Sequence, residues 1–175
     1  MSKNIFATSD THFSHKNIIK YEDRPFKDQF EMDEFLIEKW NKKVKHGDDV
    51  YHLGDFAFAS VTRIEEIIKR LNGRIHLIWG NHDKTIKQNR SLQEKFIWCR
   101  DYYALNNAFK VPVIMFHYPI QVWDRKHYGS IHLYGHVHSN KSDHHPMLMS
   151  LGNAYNVGVD VNNFEPVSIE DIIKN

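Results

Sequence analysis

Seven residues of types that bind divalent metal ions fall in five short clusters along the chain. They are Asp10 with His12, then Asp55, Asn81 and His117, and finally His136 with His138. Together they offer imidazoles, carboxylates and one amide oxygen, and no thiolate. Such a donor set suits a borderline or hard divalent ion such as Mn, Fe, Ni or Zn, and disfavours a sulfur-rich structural zinc site. Seven donors are too many for one tetrahedral ion that must keep an open position, so two ions are the better fit. One carboxylate can bridge such a pair, and ions about 4 Å apart are a known arrangement for hydrolysing phosphate esters. Gly54, Gly80 and Gly135 stand before Asp55, Asn81 and His136. A residue without a side chain permits a sharp turn and a close backbone approach at those points.

Each cluster follows a short apolar run. Residues 5–7 lead to Asp10, residues 50–53 to Asp55, residues 75–79 to the Gly80-Asn81-His82-Asp83 stretch, residues 113–116 to His117, and residues 131–134 to Gly135 and His136. In open α/β folds, ligands bind beyond the carboxyl ends of strands, on loops held by the sheet. Strands sharing one sheet edge would bring all five clusters to one spot. The pattern predicts strands at 4–8, 50–53, 75–79, 131–134 and 155–161. Phe35, Leu36, Trp40 and Val44 give residues 32–44 a helical apolar stripe. Ile64, Ile67, Ile68 and Leu71 mark a second helix, stopped by Asn72 and Gly73. Residues 98–105 and 109–116 flank Asn106-Asn107 and read as a hairpin, residues 92–103 as either a lid or a sheet edge, and residues 169–173 as a short closing helix. Strands alternating with helices, plus a hairpin, predict an α/β class with two packed mixed sheets and helices outside.

The chain of 175 residues fits one domain over 1–175 and is long enough for a full core. Its net charge of +1 argues against a general polyanion-binding surface, and no extended nucleic-acid face is evident. A single cysteine, Cys99, rules out an internal disulfide. No apolar run reaches the length of a membrane span, and the N-terminus lacks a signal-peptide core. The expectation is a cytoplasmic protein without a membrane partner; the sequence carries no signature of a particular oligomeric state. Of the 13 histidines, His52, His76 and His132 lie inside strands and read as structural, and His46, His144 and His145 as solvated loop residues.

Taken in order, Asp10-x-His12, Gly54-Asp55, Gly80-Asn81-His82-Asp83, His117 and Gly135-His136-x-His138 resemble the five blocks of the calcineurin-like metallophosphoesterase superfamily. Single blocks of this kind arise by chance, but Gly-Asn-His-Asp is more specific and the ordered set is strong. The resemblance covers residues 10–138. It implies an α/β four-layer sandwich of two mixed β-sheets flanked by helices. It also implies two divalent metal ions, manganese first among Mn, Fe, Ni and Zn. Asp10, His12 and His138 would hold one ion, Asn81, His117 and His136 the other, and Asp55 would bridge them. His82 resembles the histidine that protonates the leaving oxygen, and Asp83 the carboxylate that orients it. A metal-bridging hydroxide would attack phosphorus in line with the leaving group.

Small members of the superfamily are often phosphodiesterases, so the expected substrate is a small phosphodiester, with nucleotide diesters included. A small-molecule phosphomonoesterase and a catalytically silent scaffold for protein partners are the alternatives. Protein serine/threonine phosphatases follow the Gly-Asp block with an arginine-bearing stretch, whereas here Phe56-Ala57-Phe58-Ala59 follows, which disfavours a phosphoprotein substrate. His15, Lys16, Asn17, Arg24, Lys84, Tyr118, His127 and Tyr128 lie close to the blocks or in loops and are candidates for substrate contact. Arg24 among them is able to grip a phosphate with two hydrogen bonds.

Overall fold

A computed structural model describes residues 3–139 and 145–174, so the expectation for His144 falls outside the described residues. The elements run β1 (Ile5–Thr8), α1 (Lys16–Tyr21), α2 (Gln29–Lys43), β2 (Asp49–His52), α3 (Val61–Arg70), β3 (Arg74–Ile78), α4 (Lys84–Lys87), α5 (Arg90–Gln93), β4 (Cys99–Arg100), β5 (Tyr102–Leu105), β6 (Val113–Phe116), β7 (Ile131–Tyr134), α6 (His145–Met149), β8 (Ala154–Asn156), β9 (Val167–Ser168) and α7 (Ile169–Lys174). Short 3-10 turns lie at Lys126–Tyr128 and Val159–Val161.

Two sheets form. The first has the order β4-β3-β2-β1-β9 and is parallel except for β9; the second has the order β5-β6-β7-β8 and is parallel except for β5. The period-two alternation of side chains sorts each central strand between two cores. Phe6, Val50, Ile75 and Leu77 turn toward the helices, where they meet Leu36, Trp40, Ile64 and Ile67. Ala7, Tyr51, Leu53 and Ile78 turn the other way and meet Val113, Met115, Ile131 and Leu133 of the second sheet. Beyond that sheet, Tyr134 packs with Leu148 and Leu151 at the end of α6. The layers are helix, sheet, sheet, helix, and β2 is buried along its whole length as a parallel central strand must be. Local signals agree with this packing. The Asp28 carboxylate caps α2 by accepting from the Phe30 and Glu31 amides, and Lys42 and Lys43 sit in its last turn against the dipole.

Several expectations change. Residues 98–105 are not one hairpin arm. The segment splits at Asp101, so Cys99–Arg100 pairs with β3 in the first sheet while Tyr102–Leu105 pairs antiparallel with β6 in the second. The hairpin itself is present, but residues 106–112 make a wider connection than a two-residue turn at Asn106-Asn107. Residues 92–103 form no lid, since Leu92 is in the core and Cys99–Arg100 is the sheet edge. The predicted strand at 155–161 stops at Asn156, because its side-chain oxygen accepts from the Gly158 amide and turns the chain into the 3-10 turn at Val159–Val161. His145 begins α6 and is not in a loop. Among the described residues, no helix is long and apolar enough to cross a membrane.

Candidate metal centre

The strand ends converge, though not along one shared sheet edge: β1, β2 and β3 belong to the first sheet and β6 and β7 to the second, and backbone pairing continues past the strands. The Asp10 amide donates to the Gly54 carbonyl, His12 to Asp55, Phe13 to Phe56, and Gly135 to His117. These bonds join β1, β2, β6 and β7 through their loops. Two groups of donors result. The ligand atoms of Asp10, His12 and His138 lie within 4.8 Å of one another, and so do those of Asp55, His117 and His136. One oxygen of Asp55 is 3.6 Å from His12 Nε2 and 3.6 Å from His117 Nε2, which sets this carboxylate between the groups. Asn81 joins the second group, its amide oxygen 3.0 Å from His117 Nε2.

The backbone here is held away from its preferred conformations. Asp10, His12, Asp55, His136 and His138 all have φ between 45° and 69°. A residue with a Cβ resists that left-handed region, at a cost of about 1 kcal/mol or more each. Five such residues among seven candidate donors mean that local preference has yielded to the placement of side chains. At Gly135 the requirement is steric, since a Cβ there would run into the Asp10 carboxylate and the Ser9 hydroxyl.

The electrostatics fit a cation. Asp10 is fully buried, and burial pushes its carboxyl up to about 7 against the lowering pull of His138, with Asp55 adding to the rise. Asp55 is raised by burial as well. Burial holds His12 well below the usual imidazole range, and lowers His117 and His136. Neutral imidazoles are the form that ligates metal. One carboxylate oxygen of Asp10 and both ring nitrogens of His12 are buried without a hydrogen-bond partner. Buried polar groups are almost always satisfied. His52 and His76 also leave Nδ1 unmet, so what marks Asp10 and His12 is that they lie with a third donor, His138, their ligand atoms within 4.8 Å of one another. The donor set, the neutral imidazoles and the two buried carboxylates fit divalent cations in both groups.

Several predicted residues turn out to do other work. Arg24 does not face a phosphate. It is buried; its Nε and Nη2 clasp the Asp160 carboxylate at 2.7 and 2.9 Å, Nη2 also donates to the Asp10 carbonyl and Nη1 to the Thr11 carbonyl. All its donating directions are spent inside, so it clamps the loop that carries Asp10 and His12. Asp83 does not reach the His82 ring through a hydrogen bond of its own. Its buried carboxylate accepts from the amides of Gly80, Asp55 and Phe56 at 2.8–2.9 Å, which ties the Gly80 turn to the Asp55 loop. His127 is exposed on a 3-10 turn, its ring against Tyr128, apart from the two groups. His82 is exposed; its ring centroid is 5.5 Å from that of His12, and its amide donates to Asp55 at 2.8 Å. His15 lies 5.3 Å from His12, and Tyr118 lies 4.6 Å from His136, centroid to centroid.

Asp160 is the residue that sequence reasoning missed. It accepts from His138 Nδ1 at 2.8 Å while Arg24 holds its other side. A carboxylate on one ring nitrogen fixes the tautomer and leaves the other nitrogen's lone pair for a metal. Burial alone would lower His138; the Asp160 bond and Asp10 carry it above its ordinary value. Asp160 itself is lowered, because His138 and Arg24 outweigh its burial. The available signal was a carboxylate following an apolar run, as in the other clusters. The remaining strand histidines are structural. His52 Nε2 donates to the Thr11 hydroxyl oxygen at 2.9 Å beside Trp40, the hydroxyl itself donating to the Phe56 carbonyl, and His132 is bonded to Ile114 and Ile120.

The profile of the calcineurin-like phosphoesterase superfamily domain matches residues 4–159. An uncharacterized protein of Methanocaldococcus jannaschii is 36% identical over 174 residues, which is 98% of this chain and 90% of that one. The crystal structure of a protein of unknown function from Aquifex aeolicus superposes with a TM-score of 0.78 at 27% identity, covering 99% of each chain. The nuclease MPE of Pseudomonas putida superposes with a TM-score of 0.51 at 19% identity, over 77% of this chain and 61% of that one, and shares the fold alone.

Proposed function

The chain belongs to the calcineurin-like phosphoesterase superfamily and is a metal-dependent phosphoesterase, and from that premise we propose that it is a two-metal phosphodiesterase acting on small or nucleotide diesters. The observation that carries this reading is the pair of donor groups on either side of one carboxylate, Asp55, with an exposed histidine, His82, beside them. Asp10, His12 and His138 would hold one ion; Asn81, His117 and His136 the other; Asp55 would touch both. When bound, two divalent ions, manganese in the first instance and Fe, Ni or Zn with the same donors, supply Lewis-acid charge to the phosphoryl oxygens and lower the pKa of water.

The residues of the chain then have separable tasks. Asp160 and Arg24 hold His138 and the Asp10 loop in register. Asp83 holds the Asp55 and Gly80 loops together, so that the His82 backbone and the Asp55 carboxylate keep their 2.8 Å bond. The His82 imidazole, free on the open side of the site, donates a proton to the departing oxygen. A diester is favoured over a monoester by charge. A monoester brings two negative charges and gains from a guanidinium, but Arg24 is wholly engaged by Asp160 and backbone carbonyls. A cytoplasmic setting, where thiols stay reduced, accords with the lone Cys99.

The test is manganese-dependent hydrolysis of bis(p-nitrophenyl) phosphate beside p-nitrophenyl phosphate, with a chelated control. The diester should be cleaved faster, the chelator should abolish cleavage, and His82→Ala should lower kcat by roughly a hundredfold or more while both ions still bind. Faster monoester cleavage would replace this reading by a phosphomonoesterase. Two bound ions with neither ester cleaved would point to a scaffold.

A further inference from the structure

The open side of the site, next to His82, is walled by aromatic rings that neither the metal groups nor the core requires. Phe58 is 56% exposed and Tyr21 is 65% exposed. The His15 ring lies between them, 4.6 Å from Phe58 and 6.5 Å from Tyr21, and the same ring is 6.4 Å from His82. Phe58 is itself 6.4 Å from His82. Single exposed rings occur elsewhere on this surface, Phe30 among them, but here the rings gather beside His82. Phe58 is also rigidly placed. Its amide donates to the Phe13 carbonyl at 2.9 Å, and Phe13 pairs with Ala57 in a β-bridge, so its backbone is fixed to the loop that carries Asp10 and His12.

We infer that Phe58, His15 and Tyr21 form a stacking wall for the base of a nucleoside that departs as the leaving group. The inference rests on the phosphodiesterase reading for the identity of the leaving group, and it names the determinant of substrate choice. The wall adjoins His82, the residue placed to protonate the departing oxygen. A flat π-surface is what exposed rings of this kind recognise, and stacking is tolerant of base identity. Phe58 is the central element, because its ring has no charge to attract the phosphate and so can contribute only through the base. The chemistry of recognition is an aromatic base joined to a phosphate, on a substrate short enough to need no basic track along the surface.

Binding to the manganese-loaded protein separates this inference from the catalytic reading, because it needs no turnover. Titration calorimetry with thymidine 5′-monophosphate and with glycerol phosphate should show the nucleotide binding more tightly. Phe58→Ala should weaken nucleotide binding roughly tenfold or more and leave glycerol phosphate unchanged, whereas Phe58→Tyr should retain the preference. Equal affinity for the two ligands in the unaltered protein, or a nucleotide preference that survives Phe58→Ala, overturns the wall. If the preference is found but diesters are not hydrolysed, the wall stands and the phosphodiesterase reading falls.

Discussion

Two clusters of acids and histidines sit at opposite ends of the same sheet, and they have opposite characters. At the start of the strands, Asp49 of β2 accepts from Arg74 Nε at 2.8 Å, lies 3.1 Å from His76, and is paired with Lys3. His76 stacks on Tyr51 at 4.6 Å. Burial would raise the Asp49 carboxyl, but these partners hold it down at about 2. At the far end of the neighbouring strand, Asp10 stands at about 7, and His12 has no partner on either ring nitrogen. The residue types are the same, although the lower cluster lies nearer the surface, with Arg74 half exposed. What differs is how the carboxylates are met: Asp49 is held by cations from its own chain, while Asp10 keeps one oxygen without a hydrogen-bond partner, although His76 Nδ1 is unmet as well. An unmet buried carboxylate gathered with lowered imidazoles, and not residue type or a single unmet nitrogen, separates the candidate site from the structural cluster.

The strongest way to break that comparison is Asp55→Asn. Removing the carboxylate shared by both donor groups should lower activity at least about a thousandfold and remove one or both ions, measured by metal analysis. The metal-free chain should stay folded, because the change discharges a carboxyl whose pKa burial has raised. Retention of two ions and full rate would refute the assignment. Next in size is Asp160→Asn, which should weaken metal affinity about 10–100-fold through the loss of the His138 orientation. Chelator competition would measure it, and unchanged affinity would leave Asp160 with a packing role only.

The lower cluster should respond in the other way. Asp49→Asn should cost about 2 kcal/mol of stability in urea unfolding, less than a fully buried pair would, because the Arg74 side chain is half exposed. The activity of the folded protein should not change. Because Asp49 is depressed in the folded state from 3.8 to about 2, its contribution is complete above about pH 4 and is lost as pH falls toward 2. The Asn variant should flatten that part of the stability profile, and a profile unaltered by the change would refute the assignment. The smallest effect belongs to neither cluster: Asp28→Ala removes the α2 cap and should lower stability by about 1 kcal/mol with activity intact.

The strands expected at residues 4–8, 50–53, 75–79 and 131–134, each within a residue of β1, β2, β3 and β7, and the two long helices were legible in the sequence, because period-two and period-3.6 apolar patterns are local properties; that the clusters meet across two sheets was not. The seven candidate donors could be named from type, order and their place after strands. The break at Asp101 was not legible, since only the positions of two sheets decide which one an edge segment joins. Nor was the work of Arg24 and Asp83, whose partners lie 136 and 27–28 residues away. Sequence by itself determined which residues could bind metal and that they would stand at strand ends, because side-chain chemistry and strand periodicity are written position by position. Only the tertiary structure decided which of those polar groups are satisfied by their own chain and which are left for a ligand, because satisfaction depends on distances between residues far apart in the chain.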